Sequence, residues 1–96
     1  NTRPNQLHQR TSSIVKAHTQ ALIIEYLEPQ LTQKEADIYR RGRNAKSYTM
    51  AKNATMADYR KATGFEAVIG YLYLTDQFVR AVELTKNAID GLKLSV

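Results

Sequence analysis

Residues 62–74 read ATGFEAVIGYLYL, a stretch in which Glu66 is the single charged side chain among Phe65, Val68, Ile69, Leu72 and Tyr73. A carboxylate in apolar surroundings is costly to ionise unless a cation neutralises it. A guanidinium would make it half of a structural ion pair, a metal ion would make it part of a catalytic centre, and a carboxylate turned to water needs neither. A second chemical feature lies upstream. Residues 40–61 carry Arg40, Arg41, Arg43, Lys46, Lys52, Arg60 and Lys61 against Asp58 alone, a charge of +6 in a chain whose net charge is +5. The remainder is therefore at −1, and a basic segment this concentrated draws polyanions, nucleic acid before anionic membrane.

Bulk properties narrow the chemistry. Ninety-six residues suffice for one domain, 1–96, with a modest core that a partner chain would help to bury. With 43% hydrophobic and 24% charged residues the chain has the composition of a globular protein rather than a disordered or fibrous one. The absence of cysteine excludes disulfides and thiolate metal sites, so a metal would be held by carboxylates, the two histidines or water, which favours hard cations such as magnesium or manganese. His8 and His18 have no second ligand at metal spacing and read as structural. No apolar run approaches the roughly 20 residues that span a bilayer, and NTRPNQLHQR has no apolar signal core, so no membrane role is expected and the expected compartment is the cytoplasm.

Helical periodicity positions these groups. From Ser12 to Glu28 the residues Ile14, Val15, Ala17, Ala21, Leu22, Ile24 and Leu27 recur at three- and four-residue steps until Pro29, and a short turn or helix precedes them at Asn5 to Arg10. Thr32 with Glu35 is a capping box that starts a helix through Ala36 and Tyr39 toward Gly42. Residues 43–55, RNAKSYTMAKNAT, lack an apolar period and read as a basic loop. Thr55 caps a third helix, Met56 to Leu74, and Thr75 a fourth carrying Phe78, Val79, Val82, Leu84 and Ile89. No stretch alternates like a strand, so the expected class is all-α.

On the third helix Phe65, Ile69 and Leu72 share one side with Val68 beside them, and Glu66 falls on the flank with Ala62, Gly70 and Tyr73. Its carboxylate is expected at the edge of the core, partly desolvated. Gly64 and Gly70 each cost a helix about 1 kcal/mol relative to alanine, and close approach of another backbone is the simplest reason for them.

The order of these motifs resembles the ribonuclease III catalytic domain. RRGRNAKS at 40–47 is similar to that family's glycine-containing turn into Lys-Ser, and ATGFEAVIGYLYL is similar to its helix of the form Ala-x-x-x-Glu-Ala-x-Ile-Gly-x-x-Tyr-Leu. Together with RPNQLHQRTSSIVKAHTQA near the start, these phrases resemble the compact branch called Mini-ribonuclease III, which lacks the double-stranded RNA-binding domain. The resemblance spans essentially the whole chain. It implies a ribonuclease III-like endonuclease bundle and metal-assisted hydrolysis of phosphodiester bonds in double-stranded RNA. Magnesium, with manganese as the alternative, would be held at Glu66, which matches the glutamate of the second acidic motif. Larger members carry an aspartate where this chain has Thr63, which can position a water. Asp58 lies two turns earlier, off the motif. The family's first acidic motif is absent from residues 1–96. The chain is therefore expected to lack its N-terminal helix or helices and, as given, to be inactive.

By the same resemblance Arg41, Arg43, Asn44, Lys46, Ser47 and Lys52 contact RNA. A-form duplexes are read through phosphates and 2′-hydroxyls, for which cations, amides and hydroxyls are the suitable partners. His8, within a family-like phrase, is a further RNA contact candidate. The implied assembly is a homodimer facing one duplex, the implied substrate a large-subunit ribosomal RNA precursor, and a ribosomal protein a further partner. Two other readings stay open: a non-catalytic helical RNA-binding module, and a structural dimer in which Glu66 pairs with an arginine.

Overall fold

The computed structural model describes the backbone of residues 4–45 and 56–94 and, among these, the side chains from Lys16 onward. The helices are α1 (Pro4–Leu27), α2 (Gln33–Asn44), α3 (Met56–Leu74) and α4 (Phe78–Leu92), with a 3-10 turn at Glu28–Gln30 between the first two. There is no strand among the described residues, and the all-α class holds. None of the described helices is long and apolar enough to cross a membrane.

Helix α1 is one helix where a short element and a longer one were expected. No glycine or proline interrupts residues 5–28, and Pro4 occupies the first position, where its missing N–H costs nothing. Its end is where the proline demands: Leu27 is the last helical residue, and Pro29 lies in the 3-10 turn. Helix α2 starts on the expected capping box, the Glu35 amide donating to Thr32 Oγ1 at 3.2 Å and the Thr32 amide to Glu35 Oε1 at 2.9 Å. The expected Thr55 cap of α3 lies outside the described residues. Thr75 does not cap α4: its hydroxyl donates back to the Tyr71 carbonyl at 2.7 Å, the same carbonyl that accepts the Thr75 amide at 3.0 Å. Asp76 then turns the chain with a left-handed φ of 58°, and Gln77 precedes α4 without a side-chain cap bond.

Helix α3 is the centre of the fold, packing most extensively on α2, then on α1, and less on α4. Ile24, Leu27, Tyr39, Val68, Leu72, Leu84 and Ala88 form the buried core. The inward face of α3 is Ala62, Gly64, Val68 and Leu72, rotated from the expected Phe65–Ile69–Leu72 stripe; Phe65 and Ile69 are half-buried. Gly64 explains the rotation. A Cβ there would lie 2.6 Å from Tyr39 Cδ1 and 2.8 Å from the Tyr39 carbonyl oxygen, and one at Gly42 would lie 2.7 Å from Ala67 Cβ. Helices α2 and α3 thus meet backbone to backbone, as expected for Gly64. The same expectation fails for Gly70, where a Cβ would meet nothing within 4 Å.

A buried carboxylate held by a guanidinium does exist, and it is Glu35. This residue is 2% exposed. Arg80 of α4 donates from Nε to Glu35 Oε2 and from Nη2 to Oε1, both at 3.0 Å, and also from Nη2 to the Gln30 carbonyl at 2.9 Å and from Nη1 to Glu83 at 3.0 Å. The hydrogen-bonded guanidinium holds the Glu35 carboxyl below the usual glutamate range although burial pushes the other way. One ion cluster therefore fastens α4 to the turn between α1 and α2.

Candidate active site and nucleic-acid surface

Tyr59, Ala62, Thr63 and Glu66 recur at helical spacing along one face of α3, and Lys16 and Gln20 lie one turn apart on α1. The two faces line a cleft of about 350 Å³ of mixed polar and apolar character, to which Ala17 and Ala62 also contribute. On its other side Glu66 borders a groove of about 430 Å³ shared with Gln20, Phe65, Ile69, Gly70 and Tyr73, whose lining is mainly apolar. Glu66 stands on the ridge between them. It is exposed rather than partly desolvated, because the open space beside Gly70 leaves its flank uncovered.

Glu66 makes no ion pair or hydrogen bond with any described residue, so no described arginine pairs with it. The polar groups sharing its cleft are the Lys16 ammonium, the Gln20 amide, the Tyr59 phenol and the Thr63 hydroxyl, of which the Gln20 and Thr63 oxygens are donors that suit a hard cation. Thr63 Oγ1 donates to the Tyr59 carbonyl at 2.9 Å, leaving it acceptor capacity for a ligand. Among the described residues no group of three His, Cys, Asp or Glu side chains could hold one ion. Asp58 is engaged elsewhere, with its Oδ2 2.9 Å from His18 Nδ1, which ties α3 to α1 and gives His18 a structural partner. Lys61 reinforces that junction through Glu25, whose carboxylate raises the lysine pKa.

The expected RNA-contact residues divide by position. Arg41 is exposed, with no described partner. The Arg43 guanidinium lies 5.5 Å from the Tyr39 ring centroid, and its Nε donates to Asn44 Oδ1 at 3.4 Å, so the aromatic ring orients it at the end of α2. Tyr39 is 1% exposed, and burial raises its phenol pKa. Gly42, between the two arginines, abuts Thr63, Gly64 and Ala67, and so joins the basic end of α2 to the turn of α3 that carries Glu66. Lys46, Ser47 and Lys52 lie outside the described residues, as does the His8 side chain. Arg40 belongs to an ion pair with Asp37.

Sequence reasoning missed Lys16, Gln20 and Tyr59 as members of this site. The four-residue spacings Lys16–Gln20 and Tyr59–Thr63 mark shared helix faces, but only tertiary packing sets one face against the other.

The chain matches the family model described as the ribonuclease III domain over residues 1–77. It is 49% identical over 94 residues to the Mini-ribonuclease 3 of Streptococcus pneumoniae, covering 96% of this chain and 73% of that protein. With the Mini-ribonuclease 3 of Clostridium tetani it shares 48% over 86 residues, covering 90% of this chain and 57% of the relative, and with that of Symbiobacterium thermophilum 47% over 91 residues, covering 95% and 70%. The chain thus spans between about half and three quarters of the length of these relatives. Their similarity runs through the helix carrying Glu66 and the arginines at the end of α2, and the chain belongs to the ribonuclease III domain family, in its Mini-ribonuclease 3 branch.

Proposed function

We propose that the natural full-length protein is a metal-dependent endoribonuclease that hydrolyses phosphodiester bonds in double-stranded RNA, in the maturation of large-subunit ribosomal RNA precursor in the cytoplasm. The observation that carries this reading is Glu66: an exposed carboxylate without a partner among the described residues, at the rim of a cleft shared with Gln20 and Thr63, on the helix that abuts the basic end of α2. The relatives' name supports the reaction class.

Glu66 supplies one carboxylate to a magnesium site, with manganese the alternative ion. Bound there, a divalent ion supplies positive charge for the phosphate and acidifies a water. The chain's own residues do the rest. Arg41, Arg43 and Asn44 at the end of α2, with Lys46, Ser47 and Lys52, hold the phosphates and sugars of the duplex. Gln20 and Thr63 orient groups in the cleft.

The mode of assembly is a homodimer, with a ribosomal protein as a further partner on the precursor. Supporting self-association, Ile69, Phe78, Ala81, Val82 and Ile89 line an apolar groove of about 560 Å³ between α3 and α4, and Phe78 and Val79 are 62% and 79% exposed. The test is cleavage of a blunt RNA duplex by full-length protein in magnesium. Glu66→Gln and chelation with EDTA should each abolish product. Retained cleavage by Glu66→Gln removes Glu66 from the reaction, and no product from the parent protein in either magnesium or manganese favours a non-catalytic RNA-binding module.

A further inference from the structure

Lys16 and Glu66 face one cleft from opposite helices, yet neither makes an ion pair or hydrogen bond with any described residue. A cation and an anion lining the same 350 Å³ space without meeting leave room for a ligand that satisfies both. The neighbouring charges are differently occupied. His18, two residues on, is held by Asp58, and Lys61 is held by Glu25, so Lys16 is the cation on this part of α1 that has no described counter-ion. Gln20, one turn further along α1, lies in the same cleft and adds an amide.

We infer that Lys16 is a phosphate-contacting residue of the cleft, holding the RNA backbone from the α1 side while the basic end of α2 holds it from the other. The inference rests on the duplex-RNA reading above and adds a second wall to it. Arg41 and Arg43 flank Gly42, which abuts α3 at Thr63, Gly64 and Ala67; Lys16 opposes α3 at Tyr59, Thr63 and Glu66. Thr63 belongs to both sets of contacts, so the two cationic walls stand on either side of the α3 turn that carries the carboxylate. A phosphate bridged between Lys16 and a cation at Glu66 would be anchored at both ends. A single ammonium is a point charge with no base-edge readout, so Lys16 contributes affinity without sequence preference.

The test uses full-length Glu66→Gln protein without divalent metal, so that binding is read without cleavage. Affinity for a fixed RNA duplex is measured across a salt series for the parent, Lys16→Gln, Lys16→Arg and the surface control Lys34→Gln, which lies at the end of α2 opposite Gly42. Loss of one phosphate contact lowers the magnitude of the slope of log affinity against log salt by about 0.9. Lys16→Gln is expected to show that drop with several-fold weaker binding, equally on duplexes of different sequence, while Lys16→Arg and Lys34→Gln keep the parent slope. An unchanged slope for Lys16→Gln, or an equal drop for Lys34→Gln, overturns the inference. Cleavage by wild-type protein reports on the nuclease reading separately: no cleavage with the Lys16 effect intact overturns that reading alone. No duplex binding by the parent overturns both.

Discussion

Arg80→Ala should be among the most destabilising single substitutions in the chain, and the reason can be worked from the contacts. Glu35 is 2% exposed and receives two bonds of 3.0 Å from the guanidinium, which itself is one quarter exposed. Removing one partner of a buried ion pair costs about 3–5 kcal/mol, because the other charge stays buried without compensation. The partial exposure of Arg80, and the capping bond that Thr32 still supplies to Glu35, place the expected loss at the lower end, about 3 kcal/mol. The Gln30 carbonyl would lose a donor as well, loosening the turn between α1 and α2. Glu35→Gln leaves a neutral amide beside the guanidinium and should cost less. The assay is denaturant unfolding of the full-length protein at fixed concentration, with Glu35→Gln, Arg80→Ala and the double variant closing a cycle. The linkage to pH has a definite sign. Because Arg80 lowers the folded-state pKa of Glu35, its stabilisation is complete above the ordinary glutamate pKa and is lost as pH falls through the lowered folded value. In Arg80→Ala the burial of Glu35 remains and pushes the pKa upward, so acid unfolding should begin at higher pH. A loss under about 1 kcal/mol for Arg80→Ala, or additive effects in the double variant, would refute the reasoning.

Three further outcomes follow from the same contacts. Glu66→Gln should leave stability within about 0.5 kcal/mol, since the side chain is exposed and has no partner among the described residues, while product formation in magnesium disappears; thermal melts and a gel-based cleavage assay check both halves. Gly64→Ala should destabilise by about 1–3 kcal/mol, because the new methyl meets the Tyr39 ring and backbone, whereas Gly70→Ala should be neutral or stabilise by up to about 1 kcal/mol; paired unfolding curves distinguish them. Arg43→Ala and Lys46→Ala should each weaken duplex binding in a salt-dependent way, and only Arg43→Ala should also change the environment of the buried Tyr39, read by near-ultraviolet absorption.

Much of this protein was legible along the chain. The uninterrupted three- and four-residue steps require helices, the Thr32–Glu35 spacing starts α2, and Pro29 ends α1, all through short-range geometry that the local sequence carries in full. The concentration of seven cations in residues 40–61 is likewise read directly from the chain. The motif Ala-x-x-x-Glu-Ala with its following Ile-Gly placed Glu66 in its family. Local signals failed where two options were locally equal. Thr75 could cap the helix after it or bond back to the helix before it, and its hydroxyl turned back to the Tyr71 carbonyl of α3.

Tertiary packing decided the rest. Glu35 follows polar Thr32, Gln33 and Lys34 while Glu66 lies among apolar residues, yet it is Glu35 that is buried and Glu66 that is exposed. Arg80, forty-five positions from Glu35, reaches it only because α4 returns to the α1–α2 turn; among the described residues no cation pairs with Glu66, which remains exposed. Gly64 and Gly70 are equally costly to their helix, but only Gly64 faces another backbone, so it sets which side of α3 turns inward. The cleft that sets Lys16 across from Glu66 joins residues fifty positions apart, and that distance is invisible to periodicity. Sequence determines the helices and the charges because each is a property of neighbours along the chain, whereas which charge is paired, buried or left to meet a ligand depends on how the helices pack together.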